Sequence, residues 1–283
     1  MANTAAFGLA ASSFSSIPAG QGYIDFVVVS STNSTAPGGF VSMCNSAKAS
    51  PILQNSDSGS GGCSGNCASY YAGLKSSGLM GAGGESEGLS EVQAILATSG
   101  FVFFNYGGEG TGGPTGNNNI WASTGGHCMN SGGAAISKGQ LCATWMETYT
   151  TDSMLPASEM ATEAGYNHDA GCFEVGLLVG SWAANDYGAS ASTYEEMYDS
   201  IKSAIGACAG FQYWYVGGDG ASGAGSSVMS DLLGAYTHDT RNIIARAGGT
   251  PTPGPGPTPA PTPGTAPNVY INVRQRLYQA GRD

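Results

Sequence analysis

Short apolar runs recur along residues 1–249 of this chain, and each gives way to glycine-rich or polar residues. The clearest are residues 23–30 (YIDFVVVS), 101–106 (FVFFNY), 173–182 (FEVGLLVGSW) and 211–216 (FQYWYV). Bulky runs without alternation fit strands covered on both faces, as in a parallel sheet. Weaker runs near residues 5 and 79 extend the series, and residues 140–148 (QLCATWMET) fit strand or helix. Between the runs, helical spacing predicts helices over 69–75, 90–98, 153–164, 193–208 and 226–247. The fourth starts on a capping-box pair, Ser192 and Glu195, and puts Met197, Ile201, Ala204, Ile205 and Cys208 on one face. The fifth carries Val228, Leu232, Leu233, Ile243 and Ile244 inward and ends at Gly248-Gly249. Residues 56–67 read as a Gly/Ser loop.

One unit occurs twice. Residues 101–113 (FVFFNYGGEGTGG) and 211–223 (FQYWYVGGDGASG) align Phe101 with Phe211, Phe104 with Trp214 and Glu109 with Asp219. Each follows a predicted helix, so the unit is helix, turn, aromatic strand, then a glycine loop holding one carboxylate. Chemistry in α/β folds sits just past the C-terminal ends of such strands. Both loops also fit G-x-G-x-x-G. The first runs into Pro114 and three asparagines instead of a helix, which leaves no helix N-terminus for a pyrophosphate.

Strands alternating with helices imply a parallel α/β fold, and seven or eight such steps fit a closed TIM-like (β/α) barrel. An open doubly wound sheet is the alternative. The barrel takes residues 1–249. Residues 250–267 hold eight prolines in eighteen positions. They make an extended spacer of roughly 50 Å at about 3 Å per residue. Residues 268–283 form a basic tail in which 268–278 alternate like a strand. An isolated strand leaves backbone groups unpaired, so the tail is expected to join sheet edges, its own or a neighbouring subunit's.

Composition narrows the function. Charged residues make up 10% of the chain, and nine Lys and Arg face twenty acids for a net charge of −11. That excludes a nucleic-acid partner, which needs a basic face, and no run is long and apolar enough to span a membrane. The seven cysteines lack zinc spacing, so neither metal nor cofactor is implied. Disulfides in an oxidising compartment fit better, and Cys128–Cys142 and Cys172–Cys208 are the candidate bridges. Asn33 opens an N-glycosylation acceptor. No leader is visible, so the chain reads as a mature extracellular form, or as a virion or filament component.

Residues 178–184 (LVGSWAA) resemble the seventh strand and loop of the family 18 chitinases. Residues 210–218, with Trp214, resemble their eighth strand, whose tryptophan floors the sugar site. Residues 79–84 resemble the glycine run of their third strand. The family's fourth strand carries spaced aspartates before a catalytic glutamate. Here the matching strand leads to Glu109, but Asn105 and Gly107 stand where the aspartates belong. The resemblance implies a carbohydrate-active barrel, glycoside hydrolase-like, acting on chitin or a related glycan with Glu109 as proton donor. Tyr106, Trp182 and Trp214 are aromatics near strand ends that suit sugar stacking, and Asp186 and Asp219 lie in the following loops. Two other classes stay open. One is a glycan-binding barrel without catalysis. The other is a structural subunit assembled through its spacer and tail.

Overall fold

The computed structural model describes residues 3–11, 24–30, 35–57, 60–61, 63, 65–84, 89–107, 141–149, 153–169, 171–180, 187–215, 224–239 and 241–248. The N-terminal half contributes strands Thr4–Ala11 (β1), Phe26–Ser30 (β2), Ser50–Asp57 (β3), Ser60–Gly61 (β4), Gly81–Gly84 (β5) and Val102–Gly107 (β6). Strands Cys142–Glu147 (β7), Glu174–Gly180 (β8), Gly210–Tyr215 (β9) and Thr237–His238 (β10) follow. The helices are Phe40–Ser46 (α1), Cys67–Ser76 (α2), Leu89–Ala97 (α3), Ala157–Asp169 (α4), Ala191–Ile205 (α5), Ala224–Ala235 (α6) and Ile243–Arg246 (α7).

The strands pair in the order β1-β2-β3-β5-β6-β7-β8-β9, and β9 pairs back onto β1, all in parallel. The fold is therefore a closed eight-stranded (β/α) barrel, as the strand and helix alternation predicts. Register confirms the geometry. Stepping from Ala10 to Val28, Ile52, Gly81 and Val102, and on across β7, β8 and β9, returns to β1 eight positions earlier. Eight strands with a shear of eight tilt by about 36°. Closure removes the open edges of the barrel strands. The tail, expected to pair as a strand, lies outside the described residues. Among the described residues no helix is long and apolar enough to cross a membrane.

Each strand packs on both faces. Phe7, Val27, Val29, Leu53, Phe103, Leu177 and Phe211 meet the helices in an outer core. Ala6, Phe26, Val28, Ile52, Phe104, Trp145 and Leu178 fill the barrel interior. In α5, Tyr194, Met197, Tyr198 and Ile201 are buried at the i, i+3, i+4, i+7 spacing of a helical stripe. Each such side chain contributes about 1.5–3 kcal/mol by burial, and the Tyr198 hydroxyl also donates to the Thr4 carbonyl at 2.7 Å. This helix is capped by Ser190, two residues before the predicted start, with the Ser190 N–H on the Thr193 hydroxyl at 3.3 Å.

The predicted helix over 226–247 is broken into three pieces. It stops at Ala235, residues 237–238 pair with Thr4 and Ala5 as β10, and Asn242 caps α7 through the Ala245 N–H at 2.8 Å. The break has a packing cause: Ile243 and Ile244 join the inner cluster and plug the N-terminal mouth of the barrel. A continuous helix would hold them on the outer layer. Neither α1 nor β3 was predicted, nor were the short strands β4 and β10. The start of the supposed 56–67 loop belongs to β3 and β4.

The cysteines also differ from expectation. Cys63 and Cys67 are bridged across the start of α2, with Cα atoms 5.3 Å apart. The Cys172–Cys208 bridge does not form: Cys208 is a free, buried thiol. The Cys172 sulfur lies 3.3 Å from the Thr144 hydroxyl on β7. Burial pushes the Cys208 thiol up to about 12. Cys142 is buried on the outer face of β7; its proposed partner Cys128, and Asn33, lie outside the described residues.

Candidate functional site

Parallel closure puts all eight C-terminal strand ends around one mouth, where barrel folds hold their chemistry. Beneath it lies an aromatic slab. Phe26 and Trp145 have ring centroids 4.8 Å apart, Phe26 and Phe104 5.6 Å, and Phe104 and Tyr106 5.5 Å. Glycines opposite make the room: a Cβ at Gly8 would sit 2.0 Å from the Phe26 ring, and one at Gly176 2.2 Å from the Trp145 ring.

Above the slab the inner wall becomes polar and largely uncharged. The Ser30 hydroxyl donates to the Gln54 side-chain oxygen at 2.5 Å. Gln212 Nε2 donates across the barrel to the Tyr106 hydroxyl at 2.7 Å. Gln212 is fully buried, and its Oε1 has no partner; neither has the indole N–H of Trp145. A donor and an acceptor left over in one interior are the complement of hydroxyl groups.

One carboxylate joins this wall among the described residues. Glu147 closes β7 two residues after Trp145, on the same face by strand alternation. It is half-buried and pairs in register with Leu178, which pairs in turn with Gln212. Glu147 and Gln212 therefore flank Leu178 along one inner row. The ambiguity over 140–148 hid this residue: only as a strand does alternation put Glu147 in the mouth.

Of the predicted site residues, Tyr106 is placed in the barrel interior, buried and bonded to Gln212. Trp214 lies on β9 with its backbone paired to Ala10 and Gly180; its side chain is outside the description. Glu109, Trp182, Asp186 and Asp219 lie outside the described residues and follow β6, β8 and β9 in the chain. Asn105 alternates with Tyr106 and so faces the helices, not the mouth, and it is fully buried. The ring order also moves part of the chitinase resemblance. Because β3 intervenes, residues 81–84 are the fourth barrel strand and β6 the fifth, while β8 and β9 keep seventh and eighth place. Glu109 follows the fifth strand, one step on from the place the resemblance gives it.

The densest charged cluster among the described residues lies at the opposite end. Arg246 pairs with Glu174 through its Nε and, at 3.4 Å, its Nη2. Arg241 grips Asp239 at 3.0 and 2.7 Å. Asp25 faces the His238 Nε2 at 3.0 Å. Burial pushes the Glu174 carboxyl up, against the pull of Arg246. All of these tie the plug to the strand starts, the end of a barrel that serves stability. An open groove between α4 and α5, lined by Glu195, Glu196, Asp199 and several serines, lies on the helical exterior, away from both mouths.

No known protein family matches the chain by its sequence profile, and comparison with curated proteins finds no match either.

Proposed function

We propose that this barrel is carbohydrate-active, binding chitin or a related neutral glycan at its C-terminal mouth and cleaving it as a glycoside hydrolase does. The observation that carries the reading is the chemistry of the inner wall: neutral hydroxyl, amide and indole groups with one carboxylate, Glu147, beside them. Neutral donors and acceptors match sugar hydroxyls, and a carboxylate on the rim is what glycosidic cleavage needs. The acetamido-orienting aspartates of the chitinase pattern are missing, so a two-carboxylate mechanism fits better. Glu147 ends β7, and Glu109 follows the neighbouring strand β6 by two residues in the chain. Glu109 serves as proton donor, and Glu147 as nucleophile or base. Gln212 recognises a hydroxyl through its unpartnered oxygen.

The test is binding to immobilised chitin, β-glucan and xylan, with a reducing-sugar assay on the same polymers. Glu147→Gln and Glu109→Gln should each abolish sugar release while leaving binding within a few-fold. Gln212→Leu should weaken binding by ten-fold or more, for about 1.4 kcal/mol per ten-fold. Wild-type protein that binds none of these polymers would refute the reading and leave the structural-subunit class. Binding without release would make it a glycan-binding barrel.

A further inference from the structure

The base of the barrel holds a charge balance that the rest of the molecule does not explain. Three carboxylates, Asp25, Glu174 and Asp239, gather there with two guanidiniums. Arg246 is committed to Glu174, and its Nη1 also donates to the Arg241 carbonyl at 2.6 Å. Arg241 is committed to Asp239. Asp25 has no guanidinium of its own. Its side chain is 2% exposed, and Oδ2 accepts the Phe7 N–H at 2.6 Å and faces His238 Nε2 at 3.0 Å. A buried carboxylate without a counter-ion is expensive, so the Asp25–His238 pair must keep a proton between them.

The position of this pair matters. Asp25 also binds β1 and β3 through its backbone, its N–H on the Phe7 carbonyl and its carbonyl on the Ser50 N–H, each at 2.8 Å. His238 belongs to β10, the first element of the plug, and its ring stacks on Phe7 with centroids 5.8 Å apart. The plug runs on through Ile243, Ile244 and Arg246 to Gly248, where the proline spacer begins two residues later.

We propose that residues 237–248 are a proton-keyed latch on the N-terminal mouth of the barrel, shut while Asp25 and His238 share a proton and released when that proton is lost. The charged and titratable groups that face Asp25 are His238 and Asp239 on and after β10, Arg246 on α7, and Glu174 on β8. From β1 it meets a backbone N–H and from β3 a serine, neither of which titrates near neutral pH. The His238 side chain is 18% exposed, so solvent reaches the edge of the pair. Once it leaves, ionised Asp25 faces Glu174 and Asp239 with both arginines already engaged. Withdrawing the plug lets water reach all three carboxylates. Burial places the Asp25 carboxyl at about 8, against the Phe7 N–H and Arg246, which pull it down. Release would uncover the barrel floor and lengthen the tether to the tail.

The experiment is hydrogen–deuterium exchange on the full-length protein from pH 6 to pH 10, with the intrinsic pH dependence of exchange divided out. Protection of residues 237–248 should fall by up to ten-fold per pH unit as pH rises towards about 8, where the closed latch loses its proton, and level off beyond it, as one linked proton requires, while α5 keeps its protection. Asp25→Asn retains an oxygen for the Phe7 N–H and should make residues 237–248 indifferent to pH. Asp25→Ser, whose hydroxyl can also accept from the Phe7 N–H and does not titrate, should flatten the response as well and serves if the first variant folds poorly. The latch is refuted if wild-type residues 237–248 keep pace with α5 across the range, or if both variants retain the wild-type slope.

Discussion

Glu163 offers a quantitative check on the helix-to-barrel packing. It lies on the buried face of α4 with Met160, Ala164 and Asn167, and it is 4% exposed. Burial, with Glu159 one turn away adding repulsion, raises its carboxyl from 4.5 to about 7. A raised carboxyl favours the protonated fold. Its contribution is therefore complete below pH 4.5 and is lost as pH rises through 7. A ten-fold change in proton affinity is worth about 1.4 kcal/mol, so the rise at Glu163 amounts to about 3 kcal/mol. Glu163→Gln has the shape of the protonated acid and no ionisation. The variant should match wild type in urea unfolding at pH 4.5 and exceed it by about 3 kcal/mol at pH 8. Asp25 titrates in both proteins and cancels in the difference. Equal stability of the two proteins at pH 8 would mean that Glu163 ionises in contact with water, and the buried face assigned to α4 would be wrong.

Three further substitutions or treatments probe the interior and the base. Gly176→Ala drives a methyl into the Trp145 ring, 2.2 Å away, and should cost about 1–3 kcal/mol of overpacking, read as a lowered Tm. Arg246→Met strands Glu174 as an unpaired buried carboxylate and should cost about 3–5 kcal/mol in chemical denaturation; adding Glu174→Gln should recover much of it. Cys208 should resist a thiol reagent in the native protein and react on unfolding, because its thiol is buried and held at about 12.

The barrel was legible because its strands are covered twice over. Phe101 to Tyr106 and Phe211 to Tyr213 are buried on both faces and mostly bulky and apolar or aromatic, and that pattern survives without knowledge of neighbours. β3 broke the pattern. Its sequence, SPILQNSD, opens on a proline at its second position and ends in four polar residues. Pro51 lacks an N–H, but its carbonyl still accepts from Met80, so the strand joins the ring where proline usually argues against one. Missing this one strand is what set residues 79–84 third and 101–106 fourth in the count.

The site was less legible than the fold, for a geometric reason. Glu147 and Gln212 are 65 positions apart in the chain, and β8 alone joins them in one row. Nothing local marks Gln212 among the aromatics of FQYWY, because its meaning depends on Tyr106 reaching it across the barrel. The base cluster spreads further still, from Asp25 to Arg246. A helical reading of 226–247 dispersed its parts: Asp239, Arg241 and Arg246 would then lie on a helix instead of facing the strand starts. The two isoleucines that extend that helix in the sequence pattern are what break it in the fold. A closed barrel leaves an apolar hole at its base, and Ile243 and Ile244 fill it only if the chain turns beneath β1. That turn brings three carboxylates together with two arginines, so the demand for an apolar plug is itself what creates the proton requirement at Asp25.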